Sequence, residues 1–490
     1  MVTSFHFANA TRGVAVAAMI TVLAGCGSSS RPSTTDSPPD VSGWTIPALL
    51  TNGLGDASAV QVAANATGVA VAVWQQSDGG RIDVYASRYA PGSGWQPAEL
   101  LETDDSGDAT RPRVAINGSG VIFAVWQQSD GARTSIYSNR YSAAGGQWGG
   151  MAQMETDKAA TLDDPDSLDI DLDGDAGLPD IAINDDGNAF AVWQHFDGNR
   201  VRIIARQYID GLDWQLPLLL DAHDSGDATR PRVAMNDSGT AFAVWQHFDG
   251  SRISIHASRY SNHPSARKWG GAALIETDTA ATPAQPEIPS IALNGDAENP
   301  VVTVDDAGNA FAVWQHHDGG RFNIVANRYI EGLDWSAPVL LETDDLGDAT
   351  LPRIAMNASG TAFAVWQQSD ATRTNILACR FDPAPGARHW ETATLIETDD
   401  RGDAVRPEIA VDPAGNAYAA WQQSDGLRRN VLAARFASGT SWTAPEFVDT
   451  EDSHDAGLPS VAVDGHGTAV VAWPQSDGTR MQVHAARYTP

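Results

Sequence analysis

Short apolar runs, broken by clusters of Asn, Asp, Ser and Gly, recur along the chain from Trp44 onward. They are too short for amphipathic helices and rich in Val, Ile, Phe, Trp and Tyr, the residues that fit a pleated, half-buried surface, so they predict β-strands. The breaks predict hairpins, because Asn, Asp and Gly tolerate the positive φ of tight turns. In one unit, Arg113 to Asn117 reads as a strand, Gly118-Ser119-Gly120 as a turn and Val121 to Gln127 as the next strand. Ser129-Asp130-Gly131 turns the chain again, Ser135 to Tyr141 forms a third strand, and Trp148 to Glu155 a fourth.

This unit occurs eight times, about every 52 residues. A Val-Trp-Gln motif or a near variant places Trp74, Trp126, Trp193, Trp245, Trp314, Trp366, Trp421 and Trp473, and a second series running from Trp44 to Trp442 accounts for the rest of the 16 tryptophans. Four antiparallel strands per unit are what a β-propeller blade needs, so the expected fold is all-β and eight-bladed. The last unit stops after Met481 to Tyr488 without a fourth strand, whereas Trp44 to Leu50 is an orphan strand of that kind. Pairing the two closes the ring and removes two exposed sheet edges.

An Asp stands 18 residues before each Val-Trp-Gln tryptophan, a second stands four after it, and an Arg three beyond that. Recurrence in every unit reads as blade architecture, through Asx turns and Asp–Arg pairs, because an active site needs one asymmetric constellation. Propeller topology puts the fourth-to-first-strand connectors and the Ser-Asp-Gly turns on one face of the ring, where loops commonly carry ligands. Site residues are therefore expected there, among departures from the repeat.

Two departures stand out. The distance from the fourth-strand tryptophan to the following turn aspartate is 27 residues from Trp148 to Asp175 and from Trp269 to Asp296, against 12 or 13 elsewhere. These insertions precede the third and fifth blades. The third to fifth blades also carry His195, His247, His316 and His317 where other units have Gln or Ser, and His223 lies in the connector between the third and fourth. Clustered imidazoles suit ligand binding or proton transfer, and these five are the candidate ligand-binding residues. The first insertion contains Asp169, Asp171, Asp173, Asp175 and, at the twelfth position, Asp180, in an Asp-x-Asp-x-Asp-Gly string. That string resembles a calcium loop, and the resemblance makes these five carboxylates candidate calcium ligands.

Charge narrows the partners. The 490 residues hold 62 acidic side chains against 31 Lys and Arg, a net charge of -31, which repels nucleic acid phosphates. Residues 1–25 read as a targeting segment, with Arg12 ahead of an apolar run from Val14 to Leu23. Leu23-Ala24-Gly25-Cys26 resembles a bacterial lipobox, which implies cleavage before Cys26, acylation there (palmitate among the chains) and, with Gly27 following, the outer membrane of a Gram-negative cell. Stable anchoring needs more than one chain. Residues 26–43 read as a lipidated Cys followed by a flexible Ser/Pro/Thr tether, and 44–490 as the propeller. Cys379, the other cysteine, reads as a small strand residue.

The Asp-Gly turns and repeated tryptophans resemble the sialidase-like propellers of bacteria, although the Ser-x-Asp-x-Gly-x-x-Trp spacing is contracted at Ser77-Asp78-Gly79 and no Phe/Tyr-Arg-Ile-Pro segment occurs. The expectation is a monomeric, lipid-anchored envelope module that binds or scaffolds a glycan or protein on the insertion-bearing face, with no catalytic residue assigned and calcium as the one candidate cofactor. A glycan-active hydrolase or lyase and a purely structural envelope protein are the alternatives. Whether the chain is an enzyme stays open, with binding favoured over catalysis.

Overall fold

The computed structural model describes residues 43–490 other than 105, 156–157, 163–167, 222–225, 263–267, 278, 283–284, 343–346, 385–388, 399–400 and 451–453. These residues form eight small, mainly antiparallel sheets and no helix, the eight blades of a propeller. In blade 2 the inner strand is Ala109–Ile116, followed by Ile122–Ser129, Thr134–Ser142 and an outer strand. The ring closes as expected: Gly43–Trp44 and Ala48–Leu49 pair with Met481–Thr489, Trp44 opposite Tyr488 and Ala48 opposite Ala485.

Two details differ from the expected strands. The outer strand is a pair of two-residue bridges, Gln147–Trp148 and Ala152–Gln153 in blade 2, because Gly149-Gly150 interrupts it there. The inner strand starts four residues earlier, at Ala109 rather than Arg113, and runs through Pro112. A β-bulge between Thr110 and Arg113 accommodates the proline, which has no N–H to give to a ladder.

The insertions do not fold over the centre of the ring. Lys158–Ala160 and Leu168–Asp171 form a hairpin whose Ala160 pairs in parallel with Leu218, the outer strand of blade 3. Thr279–Thr282 and Gln285–Ala292 extend blade 5 in the same way through Val339. Both blades thereby grow to seven strands at the edge farthest from the axis.

The core lies between blades. All eight Val-Trp-Gln-type tryptophans are among the largest fully buried side chains. A second aromatic layer crosses six of the eight junctions: Phe242 of blade 4 packs on Tyr329 and Trp335 of blade 5 at 4.9 and 5.9 Å, with Arg259 laid over the Phe242 and Tyr329 rings.

The repeated polar residues stitch these junctions. Every turn aspartate accepts the backbone N–H that opens the third strand of the preceding blade; Asp108 accepts from Ile82 at 2.9 Å and Asp56 from Met481 at 2.7 Å. The second aspartate forms an Asx turn, Asp78 accepting from Gly80 and Arg81, whose amides hold its carboxyl below the usual carboxylate range. In blades 2, 6 and 7 the second motif glutamine accepts the indole N–H (Trp126 to Gln128, 2.9 Å) and donates to the carboxylate ending the previous blade (Gln128 to Glu102, 2.9 Å).

Candidate functional site

The first motif glutamine leads to the channel. Its side-chain oxygen accepts the amide N–H of the third inner-strand residue of the next blade: Gln75 from Arg111 at 2.9 Å, Gln194 from Arg230 at 3.2 Å and Gln367 from Arg406 at 2.9 Å. That third residue sits in the left-handed region in seven blades, at Ala59, Arg111, Leu178, Arg230, Asn299, Leu351 and Arg406, with φ from 51 to 55°. Left-handed backbone costs a non-glycine residue about 1 kcal/mol or more, so a ring of them is held by its surroundings. The bulge re-aims the side chains, and all seven line a cavity of about 280 Å³ at the centre of the ring.

Six arginines face that cavity in two tiers. Arg111, Arg230 and Arg406, at the third strand position, are exposed at its mouth. Arg113, Arg232 and Arg353, at the fifth, lie half-buried below. Two carboxylates answer them: Glu408, 2.9 Å from Arg353, and Asp180, 4.0 Å from Arg232 and accepting the Val233 amide at 3.0 Å. Arg113 donates to Gln61 at 2.8 Å and Arg230 to Asn299 at 3.2 Å. The Arg113 charge, with burial, pulls the Arg232 guanidinium down to about 9. The mouth lies at the strand starts, on the connector side of the ring, where departures from the repeat were expected.

The described candidate histidines are elsewhere. His195, His247 and His316 occupy the second glutamine's place inside the blade junctions and are 0, 3 and 0% exposed. His247 lies 3.7 Å from Asp221 and His316 3.3 Å from Glu276, the carboxylates that end the preceding blades. Each belongs to a different junction, and a ligand would reach one only by parting two blades. His317 stands in for the turn serine, its Nδ1 accepting from Gly319 at 3.1 Å as Ser77 accepts from Gly79. His223 lies outside the described residues.

The aspartate string disperses too. Asp171 accepts from the Asp173 amide, Asp173 faces Arg133 at 3.7 Å, Asp175 accepts from Thr134 in blade 2, and Asp180 belongs to the channel. The side chain of Asp169 is outside the described set. Among the described residues no group of three or more His, Cys, Asp or Glu side chains is placed to hold a metal ion. Cys379 is buried, its thiol donating to the Glu391 carbonyl at 2.8 Å, and burial pushes its pKa up. Cys26 precedes the described residues.

The channel arginines escaped the sequence reading because Pro112 and its counterparts look like strand breakers. Their trace was there: Ala-Thr-Arg-Pro-Arg recurs at residues 109–113 and 228–232, with Leu-Pro or Asn-Pro at the same place in other units. It is the one segment of the inner strand whose charge changes from blade to blade.

No family model and no curated protein matches the chain. Similar solved structures include the polysaccharide lyase Uly1, at 10% identity and a TM-score of 0.45 over 82% of this chain and 93% of that one. The leech intramolecular trans-sialidase matches at 9% identity and 0.37, over 91% and 93%. A lectin from Aleuria aurantia matches at 13% and 0.35, over 70% and 97%. These neighbours are glycan-active enzymes and a lectin; the reading of the channel rests on its own residues.

Proposed function

We propose that the propeller is a non-catalytic binding module that takes an anionic ligand at the arginine-lined mouth of its channel. The observation that carries this is local charge inversion: six arginines against two carboxylates, in a chain of net charge -31. Guanidinium forks match carboxylate, sulfate and phosphate oxygens, and a partly enclosed wall strengthens the attraction. An arriving anion also relieves the repulsion between Arg113 and Arg232. Catalysis fits less well. A glycan hydrolase uses two carboxyls about 5 to 9.5 Å apart, one acting as acid, and here Asp180 and Glu408 are each engaged by an arginine.

Calorimetry with galacturonate and galactose tests the reading. The acid should bind with salt-sensitive affinity and the neutral sugar should not, and Arg230→Ala with Arg406→Ala should weaken the acid at least tenfold. Equal binding of both sugars, or turnover of an acidic oligosaccharide, overturns it.

The same proposal places the module at the cell envelope, tethered through acylated Cys26 with the propeller held off the membrane by residues 27–43. Cys26→Ser should move the protein from the detergent phase to the aqueous phase on Triton X-114 partition. Unchanged partition would remove the anchor from the proposal.

A further inference from the structure

The inner strands that bring arginine to the mouth of the channel turn apolar below it. Their last residues, among them Ile116, Ile183, Met235, Val304 and Met356, bound a second space of about 380 Å³ and are all half-buried. Ala115, Ala182 and Ala234 fill the intervening positions, and among the described residues no charged or aromatic side chain lines this lower space. Half-exposed aliphatic groups around one axis are apolar surface left unburied, and covering them with an apolar chain releases water.

Composition narrows the occupant. Sugar rings are usually held by aromatic platforms and paired hydroxyl or amide donors. Among the described residues the lower channel offers neither, Thr303 being its one polar lining residue. From Arg111 to Ile116 the strand advances five residues, at about 3.3 Å each roughly 16 Å, so the charged and apolar tiers can be bridged by one molecule of modest length.

Resting on the reading of the mouth as an anion site, we infer that the channel takes an amphiphilic anion, an acyl carboxylate, with its carboxylate among the arginines and its chain in the aliphatic collar. The arginines supply the charge complement and the collar supplies the transfer of methylenes out of water.

A homologous series of probes decides this: acetate, hexanoate and octanoate, with octanol as the neutral counterpart, titrated calorimetrically into the full chain. Each buried methylene is expected to tighten binding about threefold to fourfold, making octanoate more than a hundredfold tighter than acetate and at least tenfold tighter than octanol. Met235→Gln with Ile183→Gln should flatten the chain-length dependence while leaving galacturonate binding intact; Arg406→Ala should weaken octanoate and galacturonate alike. Unchanged melting curves identify variants that keep the fold. If octanoate binds no tighter than acetate while galacturonate binds, the acyl ligand is wrong and the anion site stands. If none of the anions binds, both fall.

Discussion

The blade junctions and the channel wall are built from the same eight repeats but obey opposite rules. At a junction the repeated polar residues keep fixed tasks: in all eight blades the turn aspartate takes a neighbour's amide, and in blades 2, 6 and 7 the second motif glutamine links indole to carboxylate. At the third and fifth inner-strand positions the repeat lets go, giving Arg and Arg in blade 2, Leu and Asp in blade 3, Asn and Val in blade 5. Uniformity marks what each blade needs in order to stand beside the next. Variation on a fixed backbone, here a left-handed bulge kept in seven blades, marks positions that the blade contacts leave free.

The broadest break of that comparison sets Trp245→Ala against Arg230→Ala. Trp245 is 0% exposed, and removing it leaves a cavity costing about 3–5 kcal/mol. Arg230 is exposed at the channel mouth and its loss should stay within about 0.5 kcal/mol. Urea melts that ranked them the other way would make the channel arginines structural.

Glu276 sharpens it at a single junction. Its carboxylate is fully buried between Arg252 of its own blade, 3.0 Å away, and His316 of the next. Glu276→Ala strands the arginine beside an empty, dry site and should cost about 3 kcal/mol. A loss below about 1 kcal/mol would mean that this clip does not hold the blades together.

How far the sequence led follows from the same contrast. The period of the tryptophans and the orphan strand at Trp44 were enough for eight blades and their closure, because a repeat writes its structural needs many times over. For His195, His247 and His316 the sequence was silent on burial, since a Gln-to-His change at one buried place looks on paper like a new imidazole on the surface. Burial is a three-dimensional property, and the Trp-Gln-Gln alternation conceals which side chain turns inward. The arginines were hidden for a different reason: Pro112 ended the inner strand at Arg113 on paper, whereas the bulge carries the strand through it.

Junction 2–3 adds a pH test. Burial pushes Glu155 up to about 7, against the lowering effect of the Ile136 amide it accepts at 2.9 Å. The folded state therefore holds this proton more tightly than the unfolded chain. Its contribution is present below pH 4.5, declines as pH rises and is lost above about 7. The rise from 4.5 to about 7, at about 1.4 kcal/mol per unit, is on the order of 3 kcal/mol. Glu155→Gln should flatten that decline, gaining on the wild type most above pH 7. Parallel stability–pH curves for the two proteins would show that Glu155 titrates normally.

The smallest effect separates glutamine junctions from histidine ones. In five blades the motif tryptophan donates to the second glutamine at 2.7–3.0 Å. In blade 3, by contrast, the Trp193 indole N–H and both ring nitrogens of His195 are buried without a hydrogen-bond partner among the described residues. Burial, then the Arg133 charge, pulls His195 down to about 4, so the ring is neutral at pH 7. Because the unfolded chain takes up that proton first, stability falls as pH drops from 6.5 toward 4. His195→Gln restores an acceptor for the indole and a donor for Glu155. At about 1 kcal/mol per buried hydrogen bond regained, it should stabilise the protein by about 1–2 kcal/mol at pH 7, and by more at pH 5, where the histidine penalty also disappears. If chemical melts at the two pH values show no gain, the imidazole already does the work of the glutamine it replaced, and the histidine and glutamine junctions are equivalent.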